Sequence, residues 1–71
     1  MIDRAKEWRE WREANNLSQY DMAVALGLGV IGGRKTVWNI ENGKTKPSYS
    51  SQRKFEQLKR RYERNKDGLA I

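Results

Sequence analysis

The sequence predicts an all-α fold, a compact bundle of four or five short helices. Three observations predict it. Apolar side chains recur at spacings of three and four residues along the chain. Asn15-Asn16, Gly27 and Gly43, which suit a left-handed turn, close three of the predicted helices. Ser18 and Pro47-Ser48, which suit a helix start, open two of them.

The first helix is expected from Asp3 to about Asn15. Ala5, Trp8, Trp11 and Arg12 share one face, and Arg4, Glu7, Glu10 and Glu13 take the other. Acidic side chains near its start suit the helix dipole. Ser18-Gln19-Tyr20-Asp21 is a capping-box-like start for a second helix, in which Ser18 accepts a bond from the Asp21 amide. Met22, Ala23 and Leu26 face inward there, and Gly27 is the stop. Leu28-Gly29-Val30-Ile31-Gly32-Gly33 has three glycines in six residues, which no regular element favours. A third helix follows from about Arg34 to Asn42, with Gly43 as its stop. After Lys44-Thr45-Lys46, Pro47 pre-sets a turn and Ser48 caps a last helix reaching Lys66. That helix buries Phe55, Leu58 and Tyr62. One domain over residues 1–66 and a fraying tail over 67–71 complete the expected organisation.

Composition narrows the chemistry. A chain of 71 residues holds one small domain with a modest core. It has no Cys and no His, which removes disulfides, thiolate nucleophiles, imidazole bases and the commonest zinc ligands. Asp3, Glu7, Glu10 and Glu13 sit at helix-surface spacing, and nothing pairs them in a pocket. No enzyme activity, metal, cofactor or small-molecule ligand is expected. There is no long apolar run, and Met1-Ile2-Asp3-Arg4 lacks the form of a signal peptide, so a soluble cytoplasmic protein without membrane partners is expected.

Charge is informative in its placement. Residues 1–33 carry four basic and five acidic side chains, whereas residues 34–66 carry eleven basic and three acidic ones. A cationic half beside a neutral half suits a polyphosphate partner, although Lys and Arg are also ordinary surface residues.

Two short helices around a glycine-containing turn, then a basic loop, form the layout of a DNA-binding helix-turn-helix. Leu17-Ser18-Gln19, Ala23 with Leu26-Gly27, and above all Glu41-Asn42-Gly43-Lys44 before Pro47-Ser48 resemble the Xre/Cro family of phage repressors and Cro proteins. The resemblance covers about Lys6 to Leu58 and implies a lambda-repressor-like domain. It implies an ion pair between Arg12 on the first helix and Glu41 at the end of the recognition helix. Trp8 and Trp11 then stand where the family has aliphatic core residues. The chain departs from the family in one place. Eight residues, Leu28–Lys35, separate Gly27 from Thr36, four more than the usual turn. Three readings compete for this extension: a loop folded back on the core through Val30 and Ile31, an added dimer contact, or a glycine-rich edge against a phosphate. The first is favoured, because apolar loop residues usually find the nearest core.

Helix phase divides the third helix. Val37, Ile40 and Glu41 cluster on one side, and Lys35 and Asn39 on the opposite one. Arg34 and Trp38 lie on one edge and Thr36 on the other. Arg34, Lys35, Thr36, Trp38 and Asn39 are therefore the candidate base readers. Asn suits adenine, Arg or Lys suits guanine, and an exposed aromatic suits a thymine methyl. Trp38 is equally suited to covering the edge of the last helix. Gln19, Asn42, Lys44 and Lys46 match the family's phosphate-contact positions. Lys59, Arg60, Arg61 and Arg64 read as a solvated or dimer-flanking face.

The expected function is sequence-specific binding of double-stranded DNA by a homodimer on an inverted-repeat operator. That suits a transcriptional regulator, and a repressor in particular. The dimer surface is expected on the last helix and Leu69–Ile71 rather than on Val30-Ile31. The rival reading is an antitoxin or adaptor that holds a protein partner with the same fold. It calls for a longer tail than Asp67–Ile71. RNA binding is a third reading.

Overall fold

Helix α1 (Arg4–Ala14), α2 (Gln19–Ala25), α3 (Gly33–Glu41) and α4 (Tyr49–Gly68) make up the chain's regular structure. The structure is a computed structural model and describes residues 3–29 and 31–68, the last four as backbone alone. Among the described residues there is no strand, and no helix is long and apolar enough to cross a membrane. Helix α3 begins one residue before the expected Arg34, and α4 passes the expected Lys66 to end at Gly68. Leu69–Ile71, expected as a tail and dimer contact, lie outside the described residues, as does Val30.

Local chemistry accounts for each boundary. Asp3 caps α1 by accepting the Lys6 N–H at 3.2 Å. Ser18 Oγ accepts the Asp21 N–H at 2.9 Å, and Asp21 Oδ2 accepts the Ser18 N–H at 3.2 Å, so α2 opens on a full capping box. Ser48 Oγ accepts the Ser51 N–H at 3.1 Å and opens α4. The first three helices all close in the same way. One residue with φ between 57° and 72° (Asn16, Gly27, Gly43) turns the chain back. The next N–H then bonds a carbonyl five residues earlier: Leu17 to Arg12, Leu28 to Ala23, Lys44 to Asn39, at 2.8–3.1 Å. A Cβ at Gly27 or Gly43 would strain that turn.

Trp8, Met22, Ala23, Leu26, Val37, Ile40, Phe55 and Leu58 form the core, with Trp11, Leu28 and Tyr62 packed against it. Helices α1 and α2 both pack on α3. Helix α4 closes the bundle through aromatic contacts to α1. Phe55 stacks on Trp8 at 4.8 Å and meets Trp11 edge-on at 5.5 Å, while Tyr62 meets Trp11 edge-on at 5.2 Å. The buried indole of Trp8 donates to Gln52 Oε1 at 2.9 Å, and Gln52 donates to Glu56 at 3.1 Å. Among the described residues no buried side-chain nitrogen or oxygen lacks a partner.

Two expectations change. The apolar stripe of α4 is not free for a second subunit: Phe55 and Leu58 are buried, and Tyr62 is half-buried on Trp11. Trp8 and Trp11 of α1 are the aromatic partners of that stripe. The Leu28–Lys35 extension does not fold back through Ile31, which is 99% exposed. Leu28 packs on the core instead, directed there by the turn at Gly27. A Cβ at Gly33 would lie 2.9 Å from Ala23 Cβ and 3.2 Å from Leu28 Cβ, so α2 and α3 approach closely only because residue 33 has no side chain.

Candidate nucleic-acid interface

Helix α3 is held from behind by its apolar side chains and by one carboxylate. Val37 and Ile40 are buried, and Glu41 is 3% exposed. Arg12 from α1 meets Glu41 with two parallel bonds, Nε to Oε2 at 2.7 Å and Nη2 to Oε1 at 3.0 Å. Its third nitrogen donates to the Leu17 carbonyl at 2.8 Å. One guanidinium thereby ties α1, the α1–α2 turn and the end of α3 together. The hydrogen bonds that Arg12 donates to Glu41 raise the Arg12 pKa above its ordinary value.

The opposite side of α3 is open. Arg34 and Lys35 are exposed, Trp38 is 44% exposed, and Thr36 and Asn39 are half-buried. Trp38 thus keeps a large part of its indole open to solvent. The Thr36 hydroxyl donates to the Gly32 carbonyl at 3.0 Å, which leaves its oxygen free only as an acceptor. Asn42, Lys44 and Lys46 are exposed at and beyond the C-terminus of α3. The exposed Asn42 amide donates one N–H back to the Trp38 carbonyl at 2.8 Å. The two lysines carry no such bond.

Gln19 has a partner within the chain: its half-buried side-chain amide donates to Glu41 Oε1 at 3.4 Å, beside the Arg12–Glu41 pair. The phase of α2 accounts for this, because Gln19 precedes Ala23 by four residues and Leu26 by seven, on the buried face.

The structure also brings together residues that helix phase on α3 alone overlooks. An open groove of about 480 Å³ runs along α3 and is lined by Gln19, Tyr20, Ile31, Arg34, Lys35 and Trp38. Tyr20 is 48% exposed there. Its outward position was readable, since it stands two residues before Met22 and off the buried face. Two basic side chains of α4, Lys54 and Arg61, line a separate groove against the C-terminal end of α2. Compared with known proteins, the chain matches no family model, no curated protein and no solved structure.

Proposed function

We propose that this chain is a lambda-repressor-like helix-turn-helix protein of the Xre/Cro type. In this reading it binds double-stranded DNA sequence-specifically as a homodimer and regulates transcription, as a repressor on an inverted repeat. The observation that carries the reading is the two-sided character of α3. Its inner face is anchored by Val37, Ile40 and the Arg12–Glu41 pair, while its outer face offers Arg34, Lys35, Trp38 and Asn39. A rigid helix with an outward row of guanidinium, ammonium, amide and indole groups suits the hydrogen-bonding edges of a major groove. Lys44 and Lys46 beyond its end suit the flanking phosphates.

The homodimer follows from scale. A helix of nine residues reads only a few base pairs, so a second copy on the other half-site supplies the missing specificity. Half-sites then lie roughly 34–36 Å apart. Selection of bound sequences from a random duplex library tests the whole reading. An enriched inverted repeat is the expected result. A failure to enrich any duplex overturns DNA binding and moves the fold to a protein partner.

A further inference from the structure

We infer that Ile31 is a base-contacting residue, reading the methyl group of a thymine beside the base pairs that face α3. The inference rests on the DNA-binding reading above and adds a specificity determinant outside the recognition helix.

Ile31 is the most exposed large apolar side chain among the described residues, at 99%. The core contact of this loop is made by Leu28, not by Ile31. Ile31 also opens onto the groove that contains Arg34, Lys35 and Trp38, three residues before the first of them in the chain. It therefore shares the outward side of α3 rather than pointing to the far end of the molecule.

The neighbours decide the occupant. None of the residues lining that groove is acidic, and Arg34 and Lys35 give it positive charge. A polyanion suits it electrostatically. Ile31 has no donor to offer a phosphate, so its partner within a nucleic acid must be apolar. In the major groove the apolar feature of a base-pair edge is the thymine C5 methyl. A β-branched side chain has few rotamers, so little freedom is lost when it seats there.

The test uses the full chain and its selected duplex, with each thymine replaced in turn by deoxyuridine to remove one methyl group. At one position, wild-type protein should lose about fourfold in affinity, the value of burying one methyl. Ile31→Ala should bind the thymine and uracil duplexes equally at that position. Because Ile31 is exposed, this variant should melt like the parent. If Ile31→Ala binds the selected duplex tightly and discriminates thymine from uracil everywhere as wild type does, the inference falls while DNA binding stands. A methyl preference lost in Trp38→Ala but kept in Ile31→Ala also overturns it. So does an Ile31→Ala protein that sediments as a monomer where wild type is a dimer, which would assign the side chain to a second copy. If no duplex is enriched at all, the DNA-binding reading and this inference fail together.

Discussion

Arg12 and Gly33 both bear on how α3 is held, and each can be tested by a single substitution. Glu41 is almost fully buried and depends on Arg12 for its neutralisation. Arg12→Ala strands that carboxylate, at a cost of about 3 kcal/mol, the lower end for a broken buried pair because the guanidinium is itself 14% exposed. The melting temperature should drop by roughly 12–24 °C for a domain of this size. A variant that melts within a few degrees of the parent would mean that the pair contributes little. Gly33 acts through its missing side chain. Alanine there gains up to about 1 kcal/mol in helix propensity but forces its Cβ against Ala23 and Leu28, a misfit of about 1–3 kcal/mol. Gly33→Ala should therefore be destabilising in denaturant titrations, and Ala23→Gly in the same chain should recover part of the loss. A more stable Gly33→Ala would show that α2 and α3 separate easily.

Among the elements, α1 and α4 are joined by aromatic packing and by one carboxylate. Glu7 accepts from Arg4 at 2.9 Å on its own helix and from Lys59 at 3.2 Å on α4, and Lys59 also lies 5.3 Å from the centre of the Phe55 ring. Burial pushes the Glu7 carboxyl up, but the bonds from Arg4 and Lys59 outweigh it and hold the pKa below its ordinary 4.5. The pairing is thus stabilising above about pH 4.5 and is lost as the pH falls through the lowered folded value. Wild type should lose more stability than Glu7→Gln between pH 5 and the acid limit, measured by urea unfolding; parallel curves would remove Glu7 as the source. All four helices were legible in the sequence, because Asn16, Gly27, Gly43, Ser18 and Ser48 act through local hydrogen bonds. The inward faces of α2 and α3 were legible for the same reason: period alone orders Met22, Ala23, Leu26, Val37 and Ile40. What escaped depends on contacts between elements. The partners that cover the α4 stripe are Trp8 and Trp11, Gln19 bonds a carboxylate on another helix, and Ile31 stays exposed while Leu28 packs on the core.

At the scale of the whole molecule, the proposed function separates two kinds of loss. Asn39→Ala removes an amide from the outward side of α3 and should cost about 1–3 kcal/mol on the selected duplex, with relaxed choice at one base pair per half-site. Lys44→Ala removes an exposed charge and should weaken all duplexes alike, reducing the salt slope by about one. Titration of matched and scrambled duplexes over a salt series distinguishes them. Equal losses on both duplexes for Asn39→Ala would remove it from the base-reading set. Of the candidate site, the division of α3 into an anchored and an open side came from helix phase, and the Arg12–Glu41 pair from family resemblance. The groove shared by Tyr20, Ile31 and α3 had no sequence signal, because it exists only once the extended turn has a path in space.

The three tryptophans lie at three depths: Trp8 is fully buried, Trp11 half-buried and Trp38 44% exposed on the open side of α3. Indole emission depends on local polarity, so the chain carries its own optical reporters. Trp8 and Trp11 should emit at shorter wavelength and resist a soluble quencher until the fold opens, while Trp38 should be quenched in the native state. Any ligand seated on α3 should then alter the red, quencher-accessible fraction of the emission and leave the blue fraction unchanged. Global unfolding should instead merge the two into one red-shifted band.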